Sequence, residues 1–149
     1  RAMKTLRLAN SEETEAAGRD FAKILRPGSI VKITGPLGAG KTTFVRGVAA
    51  GLGADPAAVH SPTYALVHEY FGKTDLIKHC DFYRLAQNSE LEDFGGLEFF
   101  ESESIFLIEW PERIRLWESI TPSRLFGADL QHDTEGRILK ISSTEKIVD

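Results

Sequence analysis

Apolar residues in the first third of the chain follow two different periods. Residues 4–8 alternate between polar and apolar side chains, and residues 29–34 are rich in β-branched residues, so both segments predict β-strands. Residues at helical spacing follow each run: Ala17, Phe21, Ile24 and Leu25 after the first, and Phe44, Val48 and Leu52 after the second. The order strand, helix, strand, helix predicts an α/β protein.

The middle of the chain predicts a β-hairpin followed by a buried strand. Residues 64–71 and 76–81 are the two arms of the hairpin, and they flank the connection Gly72-Lys73-Thr74-Asp75. Residues 104–108 form an apolar run, as a strand covered on both faces requires. We therefore expect a mixed sheet in which the hairpin is the antiparallel part.

The rest of the chain predicts short helices and a second hairpin. Helical segments are expected at residues 88–94, at residues 97–100 and from Pro111 onwards, with Ile114 and Trp117 on the buried side of the last one. Residues 125–130 and 137–141 surround a polar turn and predict a hairpin that closes the sheet at its edge.

A glycine-rich sequence, Gly35-Pro36-Leu37-Gly38-Ala39-Gly40-Lys41-Thr42, lies between the second strand and the second helix. It fits the pattern G-x-x-x-x-G-K-[ST] of the phosphate-binding loop, or P-loop, of nucleotide hydrolases and kinases. Glycines let the backbone wrap closely with its N–H groups inward, and those amides bind anionic oxygens together with the helix amino end. A glycine turn without a ligand has no need of Lys41 and Thr42 at these positions.

The motif predicts a role for each of its residues. Lys41 is expected to bind the β- and γ-phosphates, and the Thr42 hydroxyl to ligate Mg²⁺. The nucleotide is expected to contact Gly35, Pro36, Leu37, Gly38, Ala39, Gly40, Lys41, Thr42 and Thr43. We therefore predict one domain over residues 1–149, with a three-layer P-loop NTPase-like α/β fold, a mostly parallel sheet, an antiparallel hairpin and flanking helices.

Two carboxylates are predicted at strand ends beside this loop. Glu109 follows the apolar strand, at the position where nucleotide hydrolases hold Mg²⁺ directly or through water. Asp81 ends the second arm of the hairpin, and open α/β sheets bind ligands at such strand ends. Asp81 would bind a metal-bound water or position the attacking water. The alternative for Asp81 is a helix-cap or turn-cap role, or a salt bridge with Arg84.

Two further polar segments are candidates for the nucleotide site. The sequence Ser61-Pro62-Thr63-Tyr64 stands where nucleotide hydrolases have switch segments, and Thr63 is a candidate sensor of the γ-phosphate or its Mg²⁺. A simple turn before a strand is the alternative. Ser11 or Thr14 could line the adenine, or could serve only as helix caps.

Composition and charge argue against several other classes of protein. A net charge of −4 argues against binding of nucleic acid by this chain alone that is dominated by electrostatic attraction. We find no apolar run of membrane-spanning length and no secretory signal, so no membrane partner is expected. The single cysteine, Cys80, suits a reducing cytoplasm. The spacing of Cys80 with His60, His68 and His79 does not match a zinc site.

Four motifs together resemble the bacterial tRNA threonylcarbamoyladenosine biosynthesis ATPase family, TsaE. They are the loop at residues 35–43, Ser61-Pro62-Thr63-Tyr64, His79-Cys80-Asp81-Phe82-Tyr83-Arg84-Leu85 and Ile108-Glu109-Trp110-Pro111-Glu112. Each motif is modest alone, but their order and spacing match over nearly the whole chain.

The resemblance implies a small cytoplasmic P-loop ATPase that binds ATP or ADP with Mg²⁺. It would act with the partner subunits TsaD and TsaB to place threonylcarbamoyl on an adenosine next to the tRNA anticodon, and would meet tRNA only through that complex. By the same resemblance, Lys41 binds phosphates and Thr42 and Glu109 hold Mg²⁺. Asp81 supports hydrolysis, and Thr63 belongs to a switch-like segment.

Two other functions are compatible with the motifs. A small-molecule kinase would use Asp81 as the base for an acceptor hydroxyl, but Arg84 is the one lid-type arginine between the hairpin and the Glu109 strand, and kinases need several cations there. A nucleotide-gated assembly module would have little intrinsic hydrolysis and would use the nucleotide to order residues 61–64. A hydrolysis assay with and without partner subunits distinguishes these possibilities.

Overall fold

The computed structural model of the protein describes residues 2–59, 67–83 and 95–143. Within these residues the strands are β1 (Ala2–Leu8), β2 (Ile30–Thr34), β3 (Val67–Phe71), β4 (Leu76–Asp81), β5 (Ile105–Glu109), β6 (Leu125–Asp133) and β7 (Gly136–Ser143). The α-helices are α1 (Ser11–Phe21) and α2 (Lys41–Gly51). Short 3-10 helices lie at Ala22–Ile24, Pro56–Ala58, Gly96–Glu101, Pro111–Arg113, Trp117–Ser119 and Pro122–Arg124.

The seven strands form one sheet in the order β1-β7-β6-β2-β5-β4-β3. The three pairings in the middle, β6 with β2, β2 with β5 and β5 with β4, are parallel. The three outer pairings are antiparallel. The prediction of an α/β protein with an antiparallel hairpin is thus confirmed, and the parallel character is confined to the middle of the sheet. The carboxyl ends of β2, β4 and β5 lie at the same edge, where such sheets bind ligands.

β5 lies inside the sheet and is covered on both faces, which explains its apolar sequence. Leu107 faces the same side as α1 and α2, whereas Phe106 and Ile108 face the cluster formed with the 3-10 segments. Since side chains alternate along a strand, Glu109 falls on the helix side of the sheet. The same alternation on β4 places Asp81 on that side.

α1 begins at a side-chain cap that Asn10 provides. The Asn10 carboxamide accepts a hydrogen bond from the Glu13 amide at 2.9 Å. Glu13 in turn accepts one from the Ala9 amide at 3.0 Å, so two amides at the helix start are satisfied reciprocally. This cap fixes the direction in which α1 leaves β1.

α1 and α2 pack closely on the same face of the sheet because glycines lie where the two helices touch. A Cβ on Gly47 would lie 2.1 Å from the Glu15 carbonyl oxygen, and one on Gly18 would lie 2.5 Å from the Phe44 carbonyl oxygen. The Phe21 ring packs beside this contact, 5.7 Å from the Phe44 ring. The contact anchors α2, and with it the position of the helix amino end.

The helix predicted from Pro111 is wrong. Two separate 3-10 turns, Pro111–Arg113 and Trp117–Ser119, take its place. Ile114 is extended, with φ −127° and ψ 161°, so the helical backbone ends after one turn. Ile114 is nevertheless buried, as the apolar pattern indicated.

The position predicted for the C-terminal hairpin is also wrong. β6 pairs with β2 inside the sheet, and β1 pairs with β7, so β1 is the edge strand on this side. The alternation of polar and apolar residues in a hairpin does not indicate which of its two strands pairs with a further strand of the sheet.

The short helix expected at residues 97–100 is present as the 3-10 helix Gly96–Glu101. The helix expected at residues 88–94 lies outside the described residues.

Candidate functional site

The glycine-rich loop joins β2 to α2 at the carboxyl end of β2. Thr34 is the last residue of β2, and Lys41 is the first residue of α2. Gly35, Gly38 and Gly40 have φ angles of 138°, 78° and 100°, in the region that favours glycine. A Cβ at Gly35 would also lie only 2.2 Å from a carbonyl oxygen of β6. Glycine is therefore required here both by backbone conformation and by close packing.

The Lys41 side chain is buried beside this loop. Its ammonium donates a hydrogen bond to the Gly35 carbonyl oxygen at 2.6 Å and lies 3.9 Å from the centroid of the Trp110 ring. Burial lowers the pKa of Lys41, and the attraction of nearby carboxylates, Glu109 foremost, opposes that shift. A cation in such a poorly hydrated place attracts an anion more strongly than one in water does.

Lys41 and both predicted carboxylates line one cavity of about 380 Å³ at this edge of the sheet. Asp81 and Glu109 are register partners at the ends of the adjacent parallel strands β4 and β5. The loop and helix residues Leu37, Gly38, Gly40, Thr42 and Thr43 also line it. The structure thus brings together residues from three segments that are distant in sequence. Gly35, Pro36 and Ala39 belong to the loop but are not among the residues that line the cavity.

Glu109 is held by a chain of hydrogen bonds that ends in β3. Its Oε2 lies 2.5 Å from His79 Nε2, and His79 Nδ1 lies 2.9 Å from the Tyr70 hydroxyl. An ionised carboxylate can only accept, so His79 donates through Nε2, and in the neutral ring Nδ1 accepts from Tyr70. His79 is fully buried and Glu109 is 5% exposed. These hydrogen bonds fix the orientation of the Glu109 carboxylate. Its Oε1 has no hydrogen bond to the described residues.

Asp81 lies in a different environment from Glu109. Its Oδ1 accepts a hydrogen bond from the Tyr83 amide at 2.9 Å, so the cap role is observed in part. Burial raises the pKa of Asp81; the Tyr83 hydrogen bond opposes the rise, and the charge of Glu109 adds to it. A carboxylate of raised pKa is a better proton acceptor than an exposed one, which suits a group that orients water. Arg84 lies outside the described residues.

Trp110 covers Lys41 because the chain turns sharply after β5. Its φ of 57° is the one positive value at a residue other than glycine among the described residues. Such a conformation carries strain in a bulky residue, and strain of this kind is concentrated at functional sites. The turn brings the indole to Lys41 and to the Tyr83 ring, whose centroid is 4.9 Å away.

The residues at this cavity fit the requirements of Mg²⁺. This ion prefers oxygen ligands, keeps several water molecules and is usually held by one or two protein groups together with substrate phosphates. Thr42 and Glu109 offer a hydroxyl and a carboxylate in the same cavity. Among the described residues, no three His, Cys, Asp or Glu side chains are grouped to hold a metal. The donor set therefore suits an ion shared with phosphates rather than one in an all-protein cage.

Two of the residues predicted from the sequence, Ser11 and Thr14, are not among the residues that line the cavity. Ser11 is exposed at the start of α1 and is not among the residues that line the cavity. Thr14 is buried, and its hydroxyl donates to the Asn10 carbonyl oxygen at 3.2 Å. A role for Ser11 or Thr14 beside the adenine stays a prediction. Thr63 lies outside the described residues.

Two residues that line the cavity or bond to its lining were not singled out from the sequence. His79 was considered only as a zinc ligand, although its position two residues before Asp81 places both on one face of β4. Arg137 comes from the second hairpin and lines the cavity beside the glycine-rich loop. No spacing in the sequence relates Arg137 to that loop, because β-sheet pairing alone brings them together.

Another cavity, of about 410 Å³, lies on the opposite face of the sheet. Lys32, Asp129, Lys140 and Trp117 are among its lining residues. It is slightly larger, but the glycine-rich loop and the predicted carboxylates do not line it. Chemistry rather than volume therefore identifies the candidate functional site. Cys80 faces this side of the sheet and is fully buried, and burial raises the pKa of its thiol.

The fold and the site define a class of protein. It is a mixed α/β protein in which a central parallel strand leads through a glycine-rich loop into a helix, with two carboxylates at neighbouring strand ends. The family model described as "Threonylcarbamoyl adenosine biosynthesis protein TsaE" matches residues 8–139. The chain therefore belongs to the TsaE family.

Individual relatives agree with this assignment. The tRNA threonylcarbamoyladenosine biosynthesis protein TsaE of Bacillus subtilis is 39% identical over 119 residues, which are 80% of this chain and 72% of the relative. The protein of the same name from Haemophilus influenzae is 46% identical over 101 residues, 64% of this chain and 63% of the relative. That from Rickettsia bellii is 34% identical over 137 residues, 91% of this chain and 92% of the relative.

A solved structure shares the fold. The crystal structure of Bacillus subtilis YdiB superimposes with a TM-score of 0.71 and 26% sequence identity. The match covers 97% of this chain and 87% of YdiB.

In the described part of this chain, no helix is long and apolar enough to cross a membrane.

Proposed function

We propose that this protein is a Mg²⁺-dependent ATPase with a P-loop NTPase-like fold that acts in threonylcarbamoyladenosine biosynthesis on tRNA. The observation that carries the proposal is that Lys41, Asp81 and Glu109 line one cavity beside a loop of P-loop sequence. Membership of the TsaE family, whose name refers to this pathway, supports the biological role.

The residues of the cavity suit binding of a triphosphate. Loop amides and the amino end of α2 would bind phosphate oxygens, as such helix ends do. Lys41 would exchange its hydrogen bond to Gly35 for one to the β- or γ-phosphate, in a site where poor hydration strengthens the interaction.

The acidic side of the cavity suits hydrolysis. Thr42 and Glu109 would hold Mg²⁺, which when bound neutralises charge on the phosphate oxygens. His79 would keep the Glu109 carboxylate in place through the hydrogen bond at 2.5 Å. Asp81 would orient the attacking water, since burial raises the pKa of its carboxyl and so improves it as a proton acceptor.

The pathway role implies partners and a location. The resemblance to TsaE proteins supports action with the subunits TsaD and TsaB, and contact with tRNA through that complex. The net charge of −4 fits this indirect contact, because a chain that grips nucleic acid alone usually carries a basic surface. We place the protein in the cytoplasm, where tRNA is modified, and we expect slow hydrolysis in the absence of the partners.

The first test measures nucleotide binding and hydrolysis in matched variants. We expect Lys41→Ala to lose tight ADP binding, because the site loses its buried cation, at a cost of about 2–5 kcal/mol. We expect Glu109→Gln to bind ADP but to lower kcat by about 100-fold or more, because the amide cannot replace the carboxylate at Mg²⁺. Glu118→Gln, at an exposed glutamate away from the cavity, is the matched control and should keep wild-type kcat.

The second test reconstitutes threonylcarbamoyl transfer to tRNA with TsaD and TsaB, with and without this chain. The proposal predicts that the modification depends on the chain and that the partners accelerate ATP hydrolysis. Full pathway function with Glu109→Gln would instead favour the nucleotide-gated assembly module. Transfer of phosphate from ATP to a nucleoside would favour a small-molecule kinase.

A further inference from the structure

Arg137 brings a cation to the cavity from the side opposite to the carboxylates. It is the second residue of β7 and is paired with Leu8 of β1 and His132 of β6. In the sheet, β6 and β7 lie on one side of β2, whereas β5 and β4, with Glu109 and Asp81, lie on the other. The glycine-rich loop at the end of β2 therefore lies between Arg137 and the two carboxylates.

The Arg137 side chain packs directly on the glycine-rich loop. A Cβ built on Gly40 would lie 3.1 Å from Arg137 Nε and 3.2 Å from Arg137 Cζ. Gly40 is the residue immediately before α2, where the unpaired amides of the helix begin. Thr42 and Thr43, in the first turn of α2, line the same cavity. The guanidinium is thus at the point where the loop amides and the helix amides meet.

The charge of Arg137 is not balanced within the described part of the chain. Its one hydrogen bond there runs from Nη1 to Thr14 Oγ1 at 3.5 Å, and it forms no ion pair with a described carboxylate. Arg7, at the same end of the hairpin, instead pairs with Asp133 at 2.8 Å. A partly buried cation beside an anion-binding loop, with only a long hydrogen bond to hold it, is suited to a ligand anion.

We propose that Arg137 binds the nucleotide at the phosphate joined to the ribose, the α-phosphate. The inference rests on the proposed nucleotide site. Thr42 and Glu109, which would hold the metal, define the end of the site for the terminal phosphates. Because the loop separates Arg137 from Glu109, the guanidinium contacts the opposite end of the phosphate chain. The Thr14 hydroxyl oxygen accepts the long hydrogen bond from the guanidinium, so Thr14 contacts a residue of the proposed site.

The chemistry of the side chain supports this assignment. A guanidinium presents several N–H donors in a plane that matches two phosphate oxygens, whereas an ammonium acts as a point charge. The absence of a side chain at Gly40 gives the guanidinium the space to approach the loop. The second hairpin thereby becomes part of the nucleotide site, although it carries none of the sequence motifs.

The test is calorimetric titration of Mg²⁺-ADP and of Mg²⁺ with the non-hydrolysable analogue AMPPNP. We expect Arg137→Ala to weaken both nucleotides by about 10- to 100-fold, the usual effect of losing a hydrogen bond to a charged group. Arg137→Gln keeps a donor for Thr14 without the charge and should weaken both similarly. Arg137→Lys should recover part of the affinity. Arg7→Ala removes a cation at the same end of the hairpin and should stay within about twofold of wild type.

The outcomes separate this inference from the proposed function. If the wild-type protein binds neither nucleotide, the proposed function fails and the inference with it. If the wild type binds but Arg137→Ala and Arg137→Gln bind equally well or more tightly, the inference alone is overturned. A loss confined to AMPPNP would place Arg137 at the γ-phosphate and would also overturn it. Thermal unfolding without nucleotide shows which variants are folded. If Arg137→Ala is not folded, the nucleotide affinity of Arg137→Gln decides the outcome.

Discussion

At the residue scale, the candidate site is a set of charges removed from water. Lys41, Glu109 and Asp81 all line a cavity that is only partly open, and each interacts electrostatically with the other two. Burial disfavours the charged form of Lys41 and of Asp81, as the directions of their pKa shifts show. A protein retains such charges at a stability cost, which is the usual pattern of a functional site.

The cost of the Asp81 charge predicts the effect of Asp81→Asn. Because burial raises the pKa of Asp81 above its unfolded value, the ionised carboxylate destabilises the folded protein at neutral pH. The asparagine carbonyl can still accept from the Tyr83 amide. We expect a higher melting temperature than wild type at pH 7, together with loss of hydrolysis. Below both pKa values the carboxyl is protonated in both states, so the difference should disappear in acid. A variant less stable at pH 7 would contradict this reading.

The hydrogen bond between His79 and Glu109 predicts a separation of binding from turnover. His79→Ala removes the donor that orients the carboxylate, so we expect kcat to fall by about 10-fold or more. The affinity for Mg²⁺-free ADP should stay within a fewfold of wild type, because His79 is not among the residues that line the cavity. Titration of ADP beside steady-state hydrolysis measures both. Equal losses of affinity and of kcat would show that His79 only supports the fold.

At the element scale, the position of α2 depends on its contact with α1. The two helices touch at glycines, and a side chain at Gly47 would meet the backbone of Glu15 at 2.1 Å. Backbone atoms cannot move aside as the end of a long side chain can. The contact therefore holds the amino end of α2, which carries the loop, against the rest of the domain.

This packing predicts that Gly47→Ala destabilises the protein. Alanine in place of glycine inside a helix normally adds about 1 kcal/mol of stability. Here the forced separation of α1 and α2 should reverse the sign and cost about 1–3 kcal/mol of unfolding free energy. Urea denaturation of the variant and of wild type measures the change. A variant as stable as wild type would show that the helices adjust freely.

The elements themselves were largely predictable from local pattern. β2, the glycine-rich loop, α2 and β5 follow from β-branched runs, glycine positions and apolar spacing, each a property of neighbouring residues. The failures involve tertiary context. The helix expected from Pro111 ends after one turn because Ile114 is extended, and the propensities of neighbouring residues do not indicate this. The hairpin arms β6 and β7 were recognised, but their neighbours β2 and β1 were not.

The candidate site was predictable to a similar extent. Lys41, Thr42, Asp81 and Glu109 lie at motif or strand-end positions, and all of them line one cavity. Arg137 could not be found this way, because only the pairing of β7 with β6 and of β6 with β2 brings it to the loop. The hydrogen bond from His79 to Glu109 likewise depends on the register between β4 and β5.

At the scale of the whole molecule, the order of strands divides the site into two sides. The glycine-rich loop follows the central strand β2. Glu109 and Asp81 lie at the ends of strands on one side of β2, and Arg137 lies on a strand on the other side. A nucleotide bound across the loop would therefore meet metal-binding oxygens at one end and a guanidinium at the other. This arrangement would determine which end of a bound phosphate chain lies beside the carboxylates.

The central claim is that this cavity binds a Mg²⁺-triphosphate. The most direct measurement is a crystal structure of the protein grown with Mg²⁺ and AMPPNP. We predict phosphate oxygens on the loop amides, Lys41 turned from the Gly35 carbonyl to the phosphates, and Mg²⁺ coordinated by Thr42 at about 2.1 Å with Glu109 bound directly or through water. A nucleotide bound elsewhere on the protein, with Lys41 still on Gly35 and the loop without phosphate, would contradict the account.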